Sequence, residues 1–179
     1  MRNKVAGVSL LLVVTLAAAQ MTGPKSPAVS MAPVPLVRVA RGKAANVALD
    51  FRVSHGFHIN SNTPHSEFLI PTALKLDAPT DIAAGRIVYP EGKDLSFPFS
   101  PDEKLNVYSG DFRVSLSVHP LHTVVPGKYA FHGMLKYQAC DNAQCYPPKQ
   151  LPVNFEVKVI KGTEASGRRN PGQSPHAHR

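Results

Sequence analysis

The sequence predicts an all-β chain: an immunoglobulin-like antiparallel β-sandwich in a single domain with disordered termini. Three observations carry that expectation. Apolar side chains alternate with polar ones in three separated runs: Val47, Leu49, Phe51 and Val53; Phe112, Val114, Leu116 and Val118; Val153, Phe155, Val157 and Val159. Period two means one face of a strand is buried and the other is wet. Turn residues punctuate the chain between such runs, at His55-Gly56, Glu91-Gly92, Ser109-Gly110-Asp111 and Pro126-Gly127. No stretch of the middle carries a convincing helical period. Many short strands with regular turns argue a sandwich. An antibody-type domain is disfavoured, because the chain has no tryptophan and no long-range cysteine pair.

Taken in order, residues 1–19 read as a secretory signal. Arg2 and Lys4 make a basic start, and Val8 to Leu16 is apolar apart from Ser9 and Thr15. Ala17-Ala18-Ala19 supplies small residues for cleavage before Gln20. The apolar run falls short of the roughly 20 residues a spanning helix needs. An uncleaved membrane anchor is the alternative. No cysteine follows the cleavage site, which argues against a lipid-anchored start. Export places the chain in the periplasm, where disulfides form and persist. Residues 20–34, with Pro24, Pro27 and Pro33, read as a flexible linker. The domain is expected over residues 35–160. Beyond the three alternating runs, further strands are expected at Phe68–Leu76, Ala84–Tyr89 and Tyr129–Gln138. Residues 161–179 read as a disordered basic tail, with His176 and His178 solvated.

The ends also explain the charge. The chain carries +8 overall, yet residues 26–160 hold 13 Lys and Arg against 11 Asp and Glu, a net of +2. A nucleic-acid binder concentrates basic charge on its folded part. This chain does not, so no nucleic-acid partner is expected.

The two cysteines, Cys140 and Cys145, are separated by Asp141-Asn142-Ala143-Gln144. A disulfide that closes so small a loop gains little for the fold. The pair therefore has two readings from spacing: a site of redox chemistry, or a plain staple in an exported protein. Structural zinc needs four ligands and is disfavoured. His58 and His65 frame the turn Asn60-Ser61-Asn62-Thr63-Pro64. With either cysteine they could make a copper or zinc site, but two histidines around a turn read as surface residues, and no metal or other cofactor is expected. The pair also lacks the features that activate a thiol. Its spacer is longer than Cys-x-x-Cys, Pro147-Pro148 blocks a prompt helix start, and Asp141 would raise a neighbouring thiol pKa. The pair should exchange with a partner that brings the reactive thiolate.

The flanks of the loop carry a resemblance. Tyr137-Gln138-Ala139-Cys140 and Cys145-Tyr146-Pro147-Pro148 resemble the cysteine loop of the N-terminal (alpha) domain family of the thiol:disulfide interchange protein DsbD. Weaker landmarks are Gly56-Phe57-His58-Ile59-Asn60-Ser61, Phe68-Leu69-Ile70-Pro71-Thr72, Tyr89-Pro90 and Val107-Tyr108-Ser109-Gly110. Together they span about residues 35–160. The resemblance implies the same sandwich fold. It also implies a thiol-disulfide exchange module that shuttles reducing equivalents from a thioredoxin-like donor to exported oxidised proteins, as a protein-disulfide reductase component. Its partners would be thioredoxin-like domain proteins, a membrane electron transporter and exported disulfide proteins, in the setting of cytochrome c biogenesis, with the chain a monomer. It assigns Cys140 and Cys145 as the exchanging pair, Cys145 as the sulfur that meets partners and Cys140 as the resolving thiol. It further implies a cap loop with an aromatic side chain. The candidate is Ser96-Phe97-Pro98-Phe99-Ser100-Pro101, with Phe97 and Phe99 both open as the capping residue; core filling is the other role for either ring. The departures are a spacer of four residues where the best-known members have five, and a chain expected to be free-standing. The alternative function is a non-catalytic exported β-sandwich that binds or assembles, with a structural disulfide.

Overall fold

The three alternating runs each become a strand, and two of them form the centre of one sheet. The computed structural model describes residues 28–162. In chain order its strands are β1 (Val29–Met31), β2 (Val37–Ala40), β3 (Ala45–Val53), β4 (His58–Asn60), β5 (Ala73–Asp77) and β6 (Ile82–Ala84). They continue as β7 (Lys93–Phe97), β8 (Ser100–Tyr108), β9 (Asp111–Pro120), β10 (Gly127–Tyr137), β11 (Ala139–Cys140) and β12 (Lys149–Ile160). No helix occurs among the described residues. The expected signal segment 1–19 and nearly all of the expected tail lie outside those residues.

Two four-stranded sheets, β1-β3-β9-β6 and β2-β12-β10-β5, make the sandwich. Val47, Leu49, Phe51 and Val53 of β3 and Phe112, Val114, Leu116 and Val118 of β9 share one core cluster with Phe131, Leu135 and Tyr137 of β10 and Val153, Phe155, Val157 and Val159 of β12. Direct cross-strand partners stack within each layer. The Phe51 and Phe112 rings lie 5.2 Å apart, and those of Phe131 and Phe155 4.7 Å. Pairs of this kind contribute a few tenths to about 1 kcal/mol beyond area burial. On the wet face of β3 and β9, Arg52 pairs with Asp111 and Arg113 with Asp50. Both pairs are exposed, so they fix register more than they add stability.

Several elements differ from the sequence expectation. Residues 28–34, read as linker, belong to the sandwich: Val29 is fully buried and pairs with Val53 as β1 lies against β3. The strand β2 runs parallel to β12, whereas the other strand pairs described are antiparallel. Of the strand expected at Phe68–Leu76, only residues from Ala73 onward are extended, and Phe68 is 88% exposed. Ser61 and Thr72 close this segment as a loop, with the Thr72 amide donating to the Ser61 carbonyl and its hydroxyl to the Asn60 carbonyl. The strand expected at Ala84–Tyr89 sits earlier, as β6, with only a single bridge from Val88 to Ser115 beyond it.

A third sheet, β11-β4-β8-β7, is continuous in chain with both layers. Through Ser109-Gly110, β8 leads into β9, and through Gln138, β10 leads into β11. Gly110 sits at φ 65°, where a side chain is disfavoured, which makes this tight reversal accessible. One strand of each sandwich layer is therefore joined directly by chain to the third sheet.

The β5–β10 contact tests how closely the second layer is packed. A Cβ on Gly133 would stand 2.3 Å from the Lys75 carbonyl oxygen and 3.2 Å from the Leu76 Cα. Both are backbone, so β5 must shift to admit even a methyl group. Gly133→Ala is expected to lower stability by about 1–3 kcal/mol in urea denaturation. An unchanged midpoint would show that β5 is not held this close.

Candidate functional site

The cysteine loop begins where β10 ends. Gln138 carries the chain over to the short strand β11, which pairs with β4 so that Ala139 faces Ile59 and Cys140 faces His58. Cys140 is fully buried, while Cys145 is half-buried at the far end of the loop, and the two form a disulfide.

Local hydrogen bonds shape the loop. The Asp141 amide donates to the Gln144 carbonyl (2.9 Å), and the Tyr146 amide donates to the Ala139 carbonyl (2.8 Å). One carboxylate oxygen of Asp141 accepts from the amides of Ala143 (2.8 Å) and Gln144 (2.9 Å). The other accepts from the Tyr146 hydroxyl at 2.6 Å. This is the self-capping that Asp favours in turns. The Tyr146 hydroxyl, then the two amides, hold the Asp141 carboxyl below the usual carboxylate range. The carboxylate that the sequence reading weighed as a brake on thiol ionisation is thus occupied in organising the loop.

A second set of bonds ties the loop to β4. The Asn60 side-chain amide donates to the Ile70 carbonyl (3.0 Å) and to Gln138 Oε1 (3.3 Å), and Gln138 Nε2 donates to the Tyr146 carbonyl (3.2 Å). Asn60 is fully buried, and these bonds satisfy its side-chain NH2, while its Oδ1 has no partner among the described residues.

The hairpin β7–β8 packs against the same place. Its turn is Pro98-Phe99, and Phe97 pairs with Ser100 across it. The Phe97 ring stacks on the His58 imidazole at a centroid distance of 3.8 Å and an interplanar angle of 14°. Phe99 lies farther out, 6.2 Å from His58 and 5.6 Å from Phe97. Phe97 is buried in a small cluster with Leu105 and Val107, against which Phe99 and Leu69 pack. The candidate cap segment is therefore a hairpin tip, with both of its phenylalanine rings layered over the residue opposite Cys140.

His58 is where the sequence reading needs correction. Read as a surface residue, it is only 4% exposed. Burial pushes its pKa down from 6.5 to about 4, with Asp141 opposing weakly, so the ring is neutral at pH 7. Its Nε2 has no hydrogen-bond partner among the described residues. His65, its supposed companion, is exposed and bonded to Asp94 at 2.8 Å. The fold brings His58 opposite Cys140 but leaves His65 with Asp94, so the two histidines do not join the cysteines in one cluster. The available signal for His58 was its position two residues after Gly56, in a segment already aligned with the family. Periodicity cannot show it, because all three residues of β4 are buried.

The family described as "Thiol:disulfide interchange protein DsbD, N-terminal" matches residues 30–156, a span that includes His58, the hairpin tip and both cysteines. No curated protein matches. Among solved structures, the DsbD N-terminal domain of Neisseria meningitidis in the reduced form is similar at 20% identity and a TM-score of 0.41, covering 63% of this chain and 78% of that one. The complex between the DsbD N-terminal and PilB N-terminal domains from the same organism is similar at 17% identity and a TM-score of 0.42, covering 75% and 87%. The N-terminal periplasmic domain of ScsB from Proteus mirabilis is similar at 10% identity and a TM-score of 0.48, covering 75% and 49%.

Proposed function

Because this chain belongs to the family of N-terminal domains of the thiol:disulfide interchange protein DsbD, we propose that it is an exported electron shuttle working through Cys140 and Cys145. It accepts reducing equivalents from a thioredoxin-like donor, supplied through a membrane electron transporter. It passes them to exported oxidised proteins, including those of cytochrome c biogenesis. The setting is the periplasm, reached through the signal segment 1–19, and the domain extends to about residue 160.

One observation carries this reading. The loop from Cys140 to Cys145 is held by Asp141 and its amide and hydroxyl donors as well as by the sulfur–sulfur bond. A bond that closes so few residues adds little chain-entropy stabilisation. It adds little as a staple, and one of its two cysteines, Cys145, is only half-buried. In the shuttle, an incoming thiolate attacks Cys145 Sγ, and the electron pair of the broken S–S bond leaves on Cys140 Sγ. A second thiol of the donor then resolves the mixed disulfide. The donor ends oxidised and both cysteines reduced. The layered Phe97 and Phe99 rings act as the cap over this site, Phe97 closest in.

The reduction potential of the pair tests the proposal. A value within the carrier range, about −180 to −270 mV, is expected. It is measured by equilibrating the chain with thiol redox buffers and alkylating free thiols. A potential below about −300 mV would mark the disulfide as a structural staple and end the shuttle reading.

A further inference from the structure

The unpartnered nitrogen of His58 has a counterpart that appears only when the disulfide opens. Cys140 and His58 are direct cross-strand partners in an antiparallel pair. Residues so placed have their side chains on the same face, with Cβ atoms about 4.5–5.5 Å apart. Cys140 is completely buried and His58 nearly so. Upon reduction, Cys140 Sγ receives the electron pair of the S–S bond at a place from which water is excluded. Burial by itself disfavours such a thiolate and raises the thiol pKa. Beside it stands an imidazole whose Nε2 is bonded to nothing among the described residues. A buried polar atom without a partner is costly, and a redox role is one of the accepted reasons for its presence.

We infer that His58 is the hydrogen-bond donor that stabilises the Cys140 thiolate when the Cys140–Cys145 bond is cleaved. This rests on the exchange reading above and adds to it a residue not among the cysteines and cap phenylalanines. In the oxidised chain the imidazole is neutral, and the role requires the tautomer that carries its proton on Nε2. The partner thiolate attacks Cys145 Sγ, a new S–S bond forms there, and the old bond breaks with its electrons on Cys140 Sγ. The Nε2–H then donates to that sulfur. No proton need cross the site during the step. In the return step the same thiolate attacks Cys145 Sγ in a mixed disulfide, expels the partner's sulfur and releases the Nε2–H. Stacking beneath Phe97 keeps the ring in one plane throughout, so the donor is already placed when charge develops. The charged group that acts on His58 from the loop side is Asp141, whose carboxylate is held by Tyr146, Ala143 and Gln144. The hairpin side presents Phe97 and Phe99, which do not titrate.

The test is the pKa of Cys140 in the Cys145→Ser chain, where it is the sole thiol, followed by thiolate ultraviolet absorbance. His58→Phe keeps an aromatic ring beneath Phe97 but removes the donor. It is expected to raise the Cys140 pKa by about one unit or more, a tenfold loss of thiolate at a given pH. His58→Gln, which restores an N–H, is expected to recover part of that loss. An unchanged or lowered Cys140 pKa in His58→Phe overturns the inference. Should His58→Phe fail to fold, the wild-type chain decides. Reduction must shift the His58 Nε2 resonance in ¹⁵N spectra, and a resonance that does not move also overturns it. These measurements use the chain alone. Their failure is therefore distinct from a failure of any thioredoxin-like protein to reduce the pair.

Discussion

A Cys140→Ser chain is expected to trap a mixed disulfide through Cys145 when met by a thioredoxin-like protein that lacks its own resolving cysteine and carries its remaining cysteine as a mixed disulfide with 5-thio-2-nitrobenzoate, which is displaced as the leaving thiolate. The Cys145→Ser chain is expected to trap far less. Exchange requires a thiolate to approach one sulfur along the S–S axis, so access selects the target. Cys145 is half-buried at the end of a polar loop, whereas Cys140 has no exposed surface and is held in the β4–β11 pair beneath the hairpin tip. Reaching Cys140 requires that pair to open, and every 1.4 kcal/mol or so of opening lowers the reactive population tenfold. A difference of at least about tenfold between the two variants is therefore expected on a non-reducing gel. Equal trapping, or trapping preferentially through Cys140, would reverse the assignment of the two sulfurs.

Acid is expected to weaken the oxidised protein before its carboxylates titrate, and His58→Phe to abolish that early loss. The physical cause is the burial of a neutral imidazole. In the unfolded chain His58 takes up a proton near its ordinary pKa of 6.5; in the folded chain burial delays protonation to about 4. Between those values the unfolded state binds more protons, so stability falls as pH falls through this window. Above about 6.5 both states are neutral at His58, and below about 4 both are charged, so the slope from this residue vanishes outside the window. A shift of this size corresponds to at most roughly 3 kcal/mol at the acid end. The carboxyls of Asp50 and Asp111, lowered mainly by hydrogen bonds from Arg113 and Arg52, and that of Asp141, lowered mainly by Tyr146, act the other side of it. They are charged in both states until the pH nears the ordinary carboxylate range, so their stabilisation is lost only below the upper part of the His58 window. Urea denaturation of the wild type and of His58→Phe from neutral pH to about 4 separates the contributions. Parallel pH profiles for the two chains would refute the burial of a neutral His58.

The sandwich was legible because its main strands are long and one-sided. The strands β3, β9 and β12 run for 9, 10 and 12 residues, enough for several turns of a period-two pattern. The cysteine loop was legible for a different reason. Its shape comes from contacts within a few residues: Asp141 with Ala143, Gln144 and Tyr146, and Cys140 with Cys145. Local chemistry of this kind is written directly in the order of the side chains.

Only the tertiary structure decided the rest. The strands β1 and β4 have three residues each, too few to show a period, and β4 is covered on both sides so that no alternation remains to be read. The hairpin β7–β8 is exposed along most of its length, so its polar residues resemble a loop until Leu105, Val107 and Phe97 are seen to pack together. Phe68 misled in the other direction, since hydrophobicity alone does not reveal that its side chain faces solvent. The decisive case is His58. It meets Phe97 from a distant hairpin and Cys140 from a strand 82 residues further along the chain (140 minus 58). The burial that makes this imidazole neutral, and the position that sets it opposite a sulfur, are consequences of those non-local pairings; the sequence by itself determined the strands and the loop, and the fold determined what faces the disulfide.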